Sequence, residues 1–180
     1  MKTPLLLLAV TLGAASASAG VPEAVQPAVI PAYRLIHPGL AAAGQPTPEA
    51  LKGLEGMGFR TVVNLRPEKE GSPDERAVVE AQGLRYASIP MTPDTFSLAD
   101  VEALEKVLDD PAAAPVLLHC GSSNRVGGAW AVIQARKGMS LEEAEAAGRA
   151  AGLHSPQMEA AVRRVLGAPA PAPAAAPVNP

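Results

Sequence analysis

The sequence predicts an α/β domain with a mainly parallel central sheet flanked by helices. Three observations predict it. Short aliphatic or β-branched runs alternate with amphipathic segments through the middle of the 180-residue chain, the order that βαβ units produce. Most of the amphipathic segments open on a Ser or Thr followed by Pro or an acidic residue, a helix-start signature. Hydrophobic residues make up 48% of the chain and aromatic ones only 3%, so Val, Leu, Ile and Ala must fill the core.

Taken in order, Leu40–Ala43 is expected as a short edge strand. Thr47 then caps a helix with Pro48 at its first position, ending around residues 56–58. Residues 60–65, Arg-Thr-Val-Val-Asn-Leu, form a buried strand. Ser72-Pro73-Asp74-Glu75 reads as a capping box for a helix to about Gln82, with Gly83 as its stop. Residues 85–89 give the next strand. Ser97 to Asp100 cap a helix whose apolar stripe is Leu98, Val101, Leu104, Val107 and Leu108. Val116–His119 is the central strand and residues 125–137 the helix after it. Ser140-Leu141-Glu142-Glu143 and Ser155-Pro156-Gln157-Met158 start two final helices.

The ends read differently. Lys2, an apolar run over residues 5–12 and Ala17-Ser18-Ala19 make residues 1–19 a signal peptide, which predicts an exported protein, periplasmic or extracellular. The run is too short to span a bilayer, so no stable membrane insertion is expected after cleavage. Residues 20–31 are a Pro/Ala-rich linker, 32–167 the domain, and 168–180 a disordered Pro/Ala tail. Net charge is −3, and about −4 once Lys2 leaves with the leader. No basic patch with interleaved aromatics is present, so nucleic acid is not an expected partner. His37, His119 and His154 are too dispersed, with one Cys, to suggest a metal site, and no cofactor is implied.

The chemistry concentrates at His119-Cys120-Gly121-Ser122-Ser123-Asn124-Arg125. A strand, a short polar turn and a helix N-terminus in succession aim backbone N–H groups inward and cradle an anion. Cys120, the one cysteine of the chain, opens that turn, where positive potential favours a thiolate. Arg125 adds a planar, permanently charged fork suited to phosphate-like oxygens. Gly121, Ser122, Ser123 and Asn124 supply the cradle between them. This constellation predicts Cys-based phosphoryl chemistry or a close relative of it.

With these residues in place, the chain resembles the bacterial beta-lactamase-hydrolase-like, phosphatase-like domains of the dual-specificity tyrosine phosphatase fold. More distantly it is similar to the atypical dual-specificity phosphatases of plants and fungi. The strings carrying the likeness are His37-Pro38-Gly39-Leu40-Ala41-Ala42-Ala43-Gly44-Gln45-Pro46, Gly58-Phe59-Arg60-Thr61-Val62-Val63-Asn64-Leu65-Arg66-Pro67-Glu68, Leu98-Ala99-Asp100-Val101 and the Cys loop. The resemblance implies a dual-specificity phosphatase-like fold, Cys120 as nucleophile, Arg125 as anion binder, and a phosphorylated protein or small molecule as substrate.

It also marks departures. Mainstream tyrosine phosphatases place five residues between Cys and Arg, whereas Gly121 to Asn124 are four, a spacing the bacterial family shares and close to that of rhodanese sulfurtransferases. The family commonly has Gly where Ser123 stands, a position suited to a left-handed backbone, and Ser or Thr where Val126 stands. Ser122 or Ser123 is the candidate substitute for that lost hydroxyl. Asp94, on the loop after the third strand, is the candidate general acid, with Asp100 a weaker one already engaged by its helix cap. Arg66 is read either as a second anion contact or as an ion-pair partner of Glu68 or Glu70. His119 is expected to support the loop, Asn124 to hold its shape, Gly127-Gly128 to let the helix approach the sheet, and Trp130 to sit in the core. Two other readings stay open: a sulfurtransferase working through a Cys120 persulfide, and an impaired anion- or phospho-binding domain.

Overall fold

The structure, a computed structural model, describes residues 21–26, 28–71 and 74–170. The expected leader at 1–19, Ser72 and Pro73 of the expected capping box, and the tail from 171 lie outside the described residues. Among the described residues a five-stranded sheet runs in the order β1-β2-β5-β3-β4. The strands are β1 (Arg34–His37), β2 (Leu40–Ala43), β3 (Thr61–Asn64), β4 (Arg85–Ser88) and β5 (Val116–His119). β1 pairs antiparallel with β2, and every other pairing is parallel. β5 is central, as its unbroken apolar run predicts. β2 is not an edge: β1, which the sequence reading missed, pairs its outer side. All four β2 residues are buried, whereas both ends of β1 are exposed, too little periodicity to announce a strand.

The helices are α1 (Pro48–Leu51), α2 (Glu75–Glu80), α3 (Leu98–Leu108), α4 (Asn124–Arg136), α5 (Leu141–Ala150) and α6 (Pro156–Leu166). Side chains of a strand alternate between faces. Ala42, Leu118 and Val63 face one core with Val101, Leu104, Ala129, Val132 and Met158, from α3, α4 and α6. Ala41, Ala43, Leu117 and Val62 face the other with Leu51, Leu54 and Val79, from α1, α2 and the turn between β3 and α1. Val21 and Ile30, expected in a linker, are buried in this second core, so the segment before β1 packs on the domain.

Most helix starts follow their sequence signals. Thr47 Oγ1 accepts from the Ala50 N–H at 3.1 Å, and Ser155 Oγ from that of Met158 at 3.2 Å. Ser140 and Glu143 form the reciprocal box, as do Ser97 and Asp100. α1 is shorter than expected, its chain turning from Leu51 to Gly58, and Leu98 is 41% exposed rather than part of the α3 stripe. The larger correction is at α2. Asp74 is its N-cap and makes no side-chain cap bond, while Glu75, expected to close a capping box, points inward and is 1% exposed. Among the described residues no helix is long and apolar enough to cross a membrane.

Candidate active site

Parallel register sets the site. Ala43, His119 and Asn64 stand level across three adjacent strands, with Ser88 beside Asn64. The loops that follow therefore leave the sheet together at its carboxyl edge, where open α/β sheets bind ligands. Backbone bonds tie them: Cys120 N–H to the Ala43 carbonyl at 3.2 Å, Leu65 N–H to that of His119 at 2.9 Å, and Gln45 N–H to that of Gly121 at 3.2 Å.

Within the Cys loop Ser123 adopts φ 68°, ψ −3°, the left-handed conformation that glycine takes without strain. That costs a non-glycine residue about 1–2 kcal/mol, and contacts from α5 and the turn after it hold it there. Ser123 Oγ donates to the Ala151 carbonyl at 2.8 Å. A Cβ on Gly152 would stand 2.6 Å from Ser123 Cβ, so the two backbones meet where only glycine fits. Asn124 Oδ1 accepts from the His154 and Ser155 N–H groups at 2.9 and 3.1 Å, and its Nδ2 donates to Ser155 Oγ at 2.8 Å. The Ser123 hydroxyl is thus engaged away from Cys120, and Val126 is packed in the core, while Ser122 is exposed and bridges to Gly44 through the backbone.

Cys120 is fully buried on the floor of this loop. Arg125 folds back over it: its Nη2 would stand 3.4 Å from a Cβ at Gly121. Burial works against the Arg125 charge, but hydrogen bonds to Glu70 and the neighbouring Cys120 more than offset this, and the guanidinium pKa is raised. Nη1 and Nη2 form a two-pronged pair with Glu70 Oε1 and Oε2 at 2.8 and 2.6 Å, and Nη1 also donates to the Met91 carbonyl at 3.2 Å. Of five guanidinium N–H groups, these contacts take both on Nη1 and one on Nη2. Among the described residues, the side fork, Nε–H with the second Nη2–H, is left for the loop.

Arg66 goes to Glu70 rather than standing as a second free anion contact. It donates to the Glu70 carbonyl and to Gln45 Oε1, and its Nε lies 3.6 Å from Glu70 Oε2. Arg125 first, and Arg66 with it, holds the Glu70 carboxyl below the usual carboxylate range. His119 does not bond the loop: its Nε2 donates to Glu75 Oε1 at 2.8 Å, both side chains being wholly buried. Burial pushes the Glu75 pKa up, but hydrogen bonds from His119, Gln45 and Tyr86 outweigh it and the carboxyl stays lowered. Asp94 is exposed in the turn closed by Thr92 and Thr95, three residues beyond the Met91 carbonyl that holds Arg125. Arg164 of α6 fixes this turn through the Pro93 and Phe96 carbonyls at 2.8 and 3.0 Å. Asp100 is engaged in the α3 cap. Trp130 is half-buried against the first core, its ring centroid 6.4 Å from that of His37.

Gly127 and Gly128 do not serve the sheet. A Cβ on Gly127 would meet Leu153 N at 2.1 Å and one on Gly128 would meet Met158 at 2.4 Å, so they admit α5, α6 and the turn between them. Sequence reasoning missed Gln45, Glu70 and Glu75 as site residues. Glu75 had a readable signal: it shares the inward face of α2 with Val79, four residues on, where a carboxylate requires a partner.

Residues 32–137 match the family described as beta-lactamase hydrolase-like protein, phosphatase-like domain. A beta-lactamase hydrolase-like protein of Xylella fastidiosa is 31% identical over 123 residues, 65% of this chain but only 28% of that relative's length. Crystalline TpbA of P. aeruginosa superposes with TM-score 0.63 at 24% identity, covering 84% of this chain and 94% of its own. The core catalytic domain of the PP-IP phosphatase SIW14 from S. cerevisiae gives 0.56 at 19% identity, covering 67% and 76%. These two likenesses describe a shared fold. By the match across its central domain, the chain belongs to the beta-lactamase hydrolase-like protein, phosphatase-like domain family.

Proposed function

We propose that this protein is an exported cysteine-dependent phosphatase acting on a phosphotyrosine-like or small-molecule phosphomonoester. The observation that carries the reading is the side fork of Arg125, left over by Glu70 and the Met91 carbonyl, lying against the loop that holds Cys120. An incoming oxyanion takes the space beneath the guanidinium, which lifts from the sulfur onto the phosphoryl oxygens. Cys120 Sγ then attacks phosphorus, the ester P–O bond breaks, and Asp94 delivers the proton to the leaving oxygen. Loop N–H groups and Arg125 stabilise the charge spreading over the equatorial oxygens. Water attacks the phosphocysteine next, giving a proton to the Asp94 carboxylate, the P–S bond breaks, and the thiolate returns. A crystal structure of TpbA in complex with pTyr, a fold relative, supports the substrate class.

Acid quenching during turnover of a radiolabelled aryl phosphate tests this. Label is expected on the Cys120 peptide, and phosphate release with no such adduct overturns the mechanism. Persulfide on Cys120 after thiosulfate treatment, with neither label nor phosphate release, would instead assign a sulfurtransferase. Export rests on the pattern of residues 1–19, and a secreted chain whose N-terminal sequence begins at Gly20 is the expected result.

A further inference from the structure

The Gly-Gln-Pro and Asn-Leu-Arg-Pro-Glu strings carry residues that hydrolysis does not use. Gln45 Nε2 donates to Glu75 Oε2 at 2.9 Å, and Gln45 Oε1 accepts from Arg66 Nη1. Arg66 binds the Glu70 carbonyl and lies beside its carboxylate, which in turn forks Arg125. With the bond between His119 and Glu75, a series of contacts, one of them to the Glu70 backbone carbonyl, runs from the residue before Cys120 through the loops after β2 and β3 to the Arg125 guanidinium.

We propose that Gln45 is a positioning residue which, through Arg66 and Glu70, holds the side fork of Arg125 on the bound oxyanion. A carboxylate lies on one side of Gln45 and a guanidinium on the other. An amide is the side chain of this length that donates to the first while accepting from the second. A second carboxylate there would face Glu75 with like charge, and an apolar side chain would leave buried donors and acceptors unpaired. Arg66 without Gln45 keeps only its Glu70 contacts and is free to draw that carboxylate, and Arg125 with it, out of line. Misplacing a positioning group by about 1 Å is enough to lower a rate on the order of a hundredfold.

For its turnover arm the proposal rests on the phosphatase reading; its anion-binding arm does not. The test measures kcat/KM for p-nitrophenyl phosphate and tungstate affinity by calorimetry in the full chain, for wild type, Gln45→Leu, Gln45→Glu and the swap Gln45→Glu with Glu75→Gln. The two single variants are expected to lose roughly tenfold to a hundredfold in both readouts. The swap restores each donor–acceptor pair and is expected to recover to within about threefold of wild type, a rescue that general destabilisation does not produce. The comparison of Gln45→Glu with the swap stands even if Gln45→Leu fails to fold. Single variants within about twofold of wild type in both readouts, a swap no better than Gln45→Glu, or a wild type that binds no tungstate overturns the proposal. A wild type that binds tungstate without releasing phosphate removes the phosphatase reading alone, and the variants are then judged on affinity.

Discussion

Cys120→Ser is expected to lower phosphate release by about 10⁴-fold or more while leaving the fold and tungstate binding in place. A serine hydroxyl is a weak nucleophile unless a base takes its proton. His119, whose Nε2 donates to Glu75 and whose Nδ1 has no partner, makes no hydrogen bond to the side chain of residue 120 among the described residues. The anion site is otherwise intact in this variant, since loop N–H groups and Arg125 are untouched. Released phosphate and tungstate calorimetry, read together, separate the loss of the nucleophile from the loss of the cradle. Activity retained to within about tenfold would mean that the sulfur forms no bond to phosphorus.

Gly127→Ala is the substitution expected to damage stability most. Its Cβ would fall 2.1 Å from Leu153 N, 2.5 Å from the Gly148 carbonyl oxygen and 2.8 Å from Leu153 Cα. All three are backbone atoms, and the first two bond to each other at 2.9 Å, so no rotamer change relieves the clash. α5 and the turn after it must retreat, at a cost of about 3–5 kcal/mol, the upper end for overpacking. Thermal denaturation should register this as a fall of roughly 10 °C. Gly56→Ala is the control: the new Cβ would meet only the Gly53 carbonyl oxygen, at 3.5 Å, and the change is expected to stay within about 0.5 kcal/mol.

What the sequence revealed of this site, and what it hid, follows from chain separation. Cys120 and Arg125 share one strand-turn-helix unit, so local rules place them together. Arg125 and Glu70 are 55 positions apart, and Gln45 and Glu75 30 apart, so nothing local announces those pairs. Ser123 illustrates a partial reading: its need for a left-handed backbone was legible, but the contacts from Ala151 and Gly152 that hold it there were not. Gly127-Gly128 likewise signals close approach, but the partner the sequence suggests is the sheet, whereas α5, α6 and the turn between them stand there. β2 reads as an edge because three alanines do not disclose whether a neighbour pairs on each side.

The last two helices hold more than their own packing. Ser123 and Asn124 take their shape from residues 151–155, and the turn bearing Asp94 is pinned by Arg164, yet the family match stops at residue 137. A fragment trimmed to the matched span would keep Cys120 and Arg125 but forfeit both braces. The smallest transplantable unit of this site therefore extends through Leu166, and grafts or chimaeras drawn at the family boundary would sever the Cys loop from its scaffold.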